Sequence, residues 1–148
     1  MQTGQKDLDM IKQYEGFRSE AYPDPGTGGD PWTIGYGSTR WGEQTVCQGM
    51  RCTEEEATAQ LQRDLAQYER DIASVVPVPL TQNQFDALVC FTYNVGFGNL
   101  KSSTLLKCVN QGAFDQVPEQ FLRWNKAAGR VLPGLTKRRQ AEADLFAS

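Results

Sequence analysis

Tyr14-Glu15-Gly16-Phe17 and Trp32-Thr33-Ile34-Gly35-Tyr36-Gly37, joined by a connection rich in proline and glycine that carries Asp24 and Asp30, decide how this chain reads. Leu8, Ile11 and Glu15 recur at i, i+3 and i+7, so one face of an N-terminal helix expected over about 4–15 carries two apolar residues and then a carboxyl. Gly16 supplies the helix stop. Glu15 is therefore expected in the last turn, half sheltered, the setting from which a carboxylic acid donates a proton to a glycosidic leaving oxygen.

The return strand of the expected hairpin, Trp32 to Gly37, alternates bulky Trp32, Ile34 and Tyr36 with Thr33, Gly35 and Gly37. Large groups pack on one face, and Thr33 stands alone on the other. Its hydroxyl both donates to and accepts from water. Gly35 and Gly37 would let a sugar approach the backbone closely, while Tyr36 and Trp124 are candidates to stack on sugar rings. A glutamate, an aspartate (Asp24, with Asp30 as the alternative) and a threonine are the inventory of a carboxylate-driven glycosidase.

With 148 residues, 39% of them hydrophobic, the chain supports one compact unit with a real core. Its net charge of −3 conceals an asymmetry: residues 1–74 hold 7 basic and 13 acidic side chains (net −6), and residues 75–148 hold 8 and 5 (net +3). A basic second half suits an anionic wall polymer, whereas the overall acidity argues against nucleic acid. There is no histidine, so a Ser-His-Asp triad, a Cys-His pair and His-ligated zinc are all closed. No Walker or dinucleotide glycine pattern occurs, and neither metal nor cofactor is expected. Of the four cysteines, Cys47 and Cys52 are the only pair close in sequence; Cys90 and Cys108 read as core, and all four are expected to be reduced. Residues 1–13 have no apolar h-region, so no signal peptide and no membrane span is expected.

Thr53-Glu54-Glu55-Glu56 reads as a capping box opening the longest helix, to about Ser74, with Ala57, Leu61, Leu65, Tyr68 and Ile72 as its apolar stripe. Val75-Val76-Pro77-Val78-Pro79 stops it. Thr81 and Gln84 cap a helix to about Asn94, and shorter helices follow near 103–110 and 114–124. The last runs from Pro133 or Thr136 to about Phe146, with Leu135, Arg139 and Glu142 on one face. The expected fold class is α+β and mainly helical: one domain over 1–148, with a small α/β lobe to about residue 52, a connecting helix over about 53–74 and a helical lobe from about 80. A cleft between two lobes is where an extended polymer would lie.

With these residues in view, the chain resembles the phage-type lysozymes, or endolysins, of glycoside hydrolase family 24, whose pattern is a Glu, an Asp nine positions on and a Thr opening a Thr-Ile-Gly motif. Glu15, Asp24 and Thr33 match that pattern, and the likeness continues through Tyr93-Asn94-Val95-Gly96, Ser103-Thr104-Leu105-Leu106, Val131-Leu132-Pro133-Gly134-Leu135 and Arg138-Arg139. Two departures stand out. The interval from Asp24 to Thr33 is three residues longer than the family's commonest form, and Ser38 stands where many members have histidine. The resemblance implies a two-lobed lysozyme fold and a monomer that hydrolyses the β-1,4 bond between N-acetylmuramic acid and N-acetylglucosamine in peptidoglycan. It further implies a phage or prophage lysis protein that waits in the host cytoplasm until a holin opens the membrane. A lytic transglycosylase and a non-catalytic wall-binding module are the alternatives.

Overall fold

The computed structural model describes the whole chain, residues 1–148. Helix α1 (Gln5–Glu15) leads into strands β1 (Arg18–Tyr22), β2 (Thr33–Gly35), β3 (Arg40–Trp41) and β4 (Gln44–Thr45). Helices α2 (Glu54–Val75), α3 (Gln82–Val95), α4 (Phe97–Ser102), α5 (Thr104–Asn110) and α6 (Val117–Leu122) follow, then strands β5 (Lys126–Ala127) and β6 (Arg130–Val131), then helix α7 (Pro133–Ala147). This is the mainly helical α+β architecture that the sequence predicts. The chain forms two compact units, one of residues 9–66 and one of residues 67–148 together with 1–8. The first eight residues join the helical unit because Glu69 accepts from the Thr3 amide at 2.7 Å and Asp86 accepts from the Gly4 amide at 3.1 Å.

Both predicted capping boxes form. Thr53 Oγ1 accepts from the Glu56 amide at 3.1 Å while Glu56 accepts from the Thr53 amide at 2.9 Å, and Thr81 and Gln84 repeat the exchange at 3.1 and 2.9 Å. The segment expected as one helix over 114–124 is instead a 3-10 turn, Phe114–Gln116, followed by α6. Pro118 has no amide to continue a preceding helix and fits the first turn of a new one. The β3–β4 and β5–β6 hairpins and the short α4 are additions to the expected elements. The β5–β6 turn has positive φ at Ala128 (51°) and Gly129 (78°), a turn whose usual Asn-Gly cue is missing here.

In the unit of residues 9–66, Ile11, Ile34, Val46, Ala57, Leu61 and Leu65 are all buried, so one stripe of α2 serves as the floor on which the hairpins rest. Gly35 is where hairpin and helix come closest. Its φ is +67°, and a Cβ built there would stand 3.0 Å from the Ala57 Cβ. One turn later Ser38, also buried, donates to Asp64 of α2 at 2.6 Å, and Gln60 donates to the same carboxylate at 2.8 Å. Burial pushes the Asp64 carboxyl above its ordinary range, and these two hydrogen bonds oppose that rise.

In the helical unit, α3 is buried from Phe85 to Thr92. The Phe91 ring meets Phe121 edge-on at 5.4 Å and Trp124 at 5.5 Å. The inward face of α7 is charged: Arg139 Nε lies 2.6 Å from Glu142 Oε1 and its Nη2 donates to Oε2 at 2.9 Å, with both side chains fully buried. Arg138 joins from 3.4 Å and donates to the Cys90 carbonyl at 3.0 Å. The Cys90 thiol shares a hydrogen bond with Glu142, and all four cysteines are free, with Cys90 and Cys108 buried as expected.

Asp7, on α1, is 1% exposed and neither of its carboxyl oxygens has a hydrogen-bond partner. Desolvation, reinforced by the charges of Asp86 and Glu142, raises its pKa to about 8, with Arg138 opposing. The native state therefore keeps a proton that the unfolded chain surrenders. Asp7's contribution to stability is full below about pH 4 and declines as pH rises toward about 8, where the native carboxyl itself ionises.

Two outcomes test this packing. Asp7→Asn, which is neutral at every pH, should lose less melting temperature than the wild type between pH 5 and pH 8, at about 3 °C for each kcal/mol; equal losses would show that Asp7 is not the titrating group. Gly35→Ala should cost roughly 2–3 kcal/mol, combining left-handed backbone strain with the Ala57 collision. Gly16→Ala, where φ is +71° and nothing lies within 4 Å, should cost only the strain, about 1 kcal/mol. Chemical denaturation of the two variants gives the comparison.

Candidate active site

Helix α1 ends where the sequence predicts, and the Gly16 amide donates to the Lys12 carbonyl at 2.9 Å with φ at +71°. Glu15 is half-buried in that last turn. Gly16 and Phe17 are the only residues between it and β1, so the backbone carries the carboxyl directly into the hairpin. Tyr36 reinforces the junction: its ring packs 5.6 Å from Phe17, Lys12 Nζ lies 5.4 Å from its centroid, and its hydroxyl donates to Glu54 at 3.0 Å.

Strand β1 pairs antiparallel with β2, Arg18 opposite Gly35 and Tyr22 opposite Thr33. Four steps along β1 match two along β2, so β1 is bulged between those pairs. Thr33 and Tyr22 face the same side of the ribbon as cross-strand partners. The Thr33 hydroxyl is half-buried and makes no hydrogen bond within the protein, which leaves it to water or substrate.

Asp24 begins the connection two residues beyond Tyr22. Its amide donates to the Gly29 carbonyl at 2.9 Å and its carbonyl accepts from Gly28 at 2.8 Å. Its Oδ2 accepts from the amides of Gly26 at 3.0 Å and Thr27 at 3.2 Å. Asp24 therefore closes the loop over residues 24–29 with one carboxylate oxygen and leaves Oδ1 without a protein partner. Asp24 is the turn former of this connection, because its side chain precedes two amides that point back at it. Asp30 is exposed and contributes its carbonyl, which accepts from Thr27 Oγ1 at 2.7 Å.

The candidate contact residues separate. Gly35 and Tyr36 are buried, Tyr36 only 4% exposed, so in place of a surface for sugar they form the joint between hairpin, α1 and α2. Gly37, half-buried with φ at +94°, sits in the turn closed by reciprocal bonds between Ile34 and Ser38 at 2.9 Å. Ser38 is a structural tie to Asp64. Nothing local in the sequence signals that tie, which joins residues 26 apart. Trp124 belongs to the helical unit, where it lines a groove of about 400 Å³ with Ser102, Ser103, Thr104, Gln120 and Arg123. No three His, Cys, Asp or Glu side chains are grouped so as to hold a metal ion, and no helix is long and apolar enough to cross a membrane.

The phage lysozyme family model matches residues 12–142. An endolysin of Bacillus phage B103 is 43% identical over 147 residues, which is 99% of this chain and 54% of that protein, so the chain spans about half of that relative's length. The structure of an endolysin from Escherichia coli O157:H7 phage FAHEc1 superposes with a TM-score of 0.88 at 39% identity, covering 99% of this chain and 93% of that one. The muramidase domain of SpmX from Asticaccaulis excentricus superposes equally well, at 0.88 and 35% identity over 99% and 98% of the two chains. With a helix-terminal glutamate and a bulged hairpin carrying an aspartate and a threonine, this chain belongs to the phage lysozyme family.

Proposed function

We propose that this chain is a muramidase that hydrolyses the β-1,4 bond between N-acetylmuramic acid and N-acetylglucosamine in bacterial peptidoglycan, and that it serves as the endolysin of a phage or prophage. The observation that carries the reading is the junction at Gly16, which hangs a half-buried carboxyl beside a hairpin bearing a second carboxyl and an unpartnered hydroxyl. The muramidase named among its structural relatives supports the bond. Glu15 gives its proton to the leaving oxygen. Asp24 faces the oxocarbenium-like charge with Oδ1 while Oδ2 remains in the loop, and Thr33 orients the attacking water. The water's proton passes to Asp24, the anomeric carbon inverts, and neither metal nor cofactor takes part. A monomer suffices for this chemistry, and access to the wall from the host cytoplasm depends on a holin.

Glu15→Gln keeps the shape and removes the proton, so turnover on purified peptidoglycan should fall by about 10² to 10⁴ with the fold retained. Near-normal lysis by that variant would remove Glu15 from the mechanism. The products should carry new reducing ends; 1,6-anhydro sugars in their mass spectrum would instead make the chain a lytic transglycosylase.

The choice of aspartate rests on the loop. The longer interval to Thr33 is taken up by residues that Asp24 itself closes into a turn, which leaves Asp24 next to β1 and puts Asp30 outside the turn. Asp24→Asn retains the acceptor oxygen for Gly26 and Thr27, so the loop should survive while turnover falls at least about 100-fold. Asp30→Asn should retain most activity. A reversal of these two rates would transfer the role to Asp30.

A further inference from the structure

The longest exposed stretch of the helical unit is Lys126–Gly134, nine consecutive residues that include the whole β5–β6 hairpin. Its composition is unusual for a solvated turn. Val131 is 56% exposed and Leu132 40%, with Leu122 at 37% at the end of α6, and Ala127, Ala128 and Pro133 complete an apolar tip. Within and beside this stretch in sequence lie Arg123, Lys126, Arg130 and Lys137, all exposed, and no acidic residue occurs between Glu119 and Glu142. Only Arg123 has an ion-pair partner, Glu119 at 3.8 Å, with both side chains more than half exposed, a contact of little energetic weight.

The backbone of this tip is partly paired. Lys126 pairs with Val131 and Ala127 with Arg130, and the Leu132 amide donates to the Asn125 carbonyl at 3.0 Å. A hairpin with part of its backbone paired, aliphatic side chains outward and cations in its flanks meets the headgroup boundary at a lower desolvation cost than an unpaired loop. Its charges are complementary to an anionic surface, and its aliphatic groups gain nothing from a purely aqueous polyanion.

We infer that the β5–β6 hairpin is a peripheral docking element for anionic phospholipid bilayers, in which Val131 and Leu132 enter the headgroup boundary while Lys126, Arg130, Arg123 and Lys137 contact lipid phosphates. The inference is independent of the hydrolase reading, and the chain lies on the bilayer without crossing it.

Co-sedimentation of the full chain with vesicles tests it, using phosphatidylcholine alone and phosphatidylcholine with one third phosphatidylglycerol. The wild type should bind the anionic vesicles and not the neutral ones. Lys126→Gln with Arg130→Gln should weaken binding roughly 25-fold, at about fivefold per cation. Val131→Ser with Leu132→Ser should weaken it at least about fivefold with its salt dependence unchanged. Each pair replaces exposed side chains, and far-UV circular dichroism with turnover on purified wall should stay at wild-type levels. No binding to the anionic vesicles would overturn the inference. So would loss in the charge variant alone, which is adhesion without insertion. Reduced wall turnover with unchanged vesicle binding would also overturn it, reassigning the hairpin to the glycan.

Discussion

Everything the candidate site needs follows from how closely β2 lies on α2. Gly35 has no side chain and sits at φ +67°, so the hairpin descends until any Cβ at that position would press on Ala57. That contact sets the height of β2. Pairing of Arg18 with Gly35 then sets β1, and only two residues separate β1 from Glu15. The position of the carboxyl relative to Thr33 is inherited from a packing distance at the far side of the strand, and Ser38 repeats the tie to the same helix through Asp64. Residues that a sequence pattern offers as sugar contacts, Gly35 and Tyr36, are instead what makes the geometry rigid.

The helical unit answers a different constraint, that of burying charge. Arg139 and Glu142 are both fully buried, and each is costly alone: burial raises the Glu142 carboxyl and lowers the Arg139 guanidinium from their usual ranges. Their mutual contact at 2.6 Å, the Cys90 carbonyl that receives Arg138 and the stacking of Arg139 on Phe91 at 5.0 Å distribute that cost over α3 and α7. A hydrophobic replacement of the whole set would pack as well, but removal of one partner would strand a charge. Asp7 shows the limit of the arrangement, since with no hydrogen bond available the carboxyl is held in its neutral form.

The elements most legible in the sequence were those fixed by local chemistry. The capping residues Thr53 and Thr81, the Gly16 stop and the Ala57-Leu61-Leu65 stripe each act within a turn or two of themselves, so their neighbours in sequence carry the whole signal. The two small hairpins were not legible, because two-residue strands have no periodicity to detect and Ala128-Gly129 is not a usual turn dipeptide. The α7 arginines show the same boundary from the other side. Spacing placed Arg139 and Glu142 on one face, but only the tertiary fold turns that face inward.

In the site itself the carboxyl and the threonine were legible from motif and alternation, whereas the division of labour within the loop was not. The string Pro23-Asp24-Pro25-Gly26-Thr27-Gly28-Gly29-Asp30-Pro31 leaves open which aspartate turns the chain, since both precede a proline and the glycines lie between them. The structure decides it by direction: the amides of Gly26 and Thr27 point at Asp24 Oδ2, and no amide points at the Asp30 carboxyl. One oxygen of Asp24 thus does structural work while the other is spared. A longer loop held in this way lengthens away from the strands, so the spacing between the aspartate and the threonine along the chain grows while Asp24 and Thr33 remain attached to the same Tyr22–Thr33 pair.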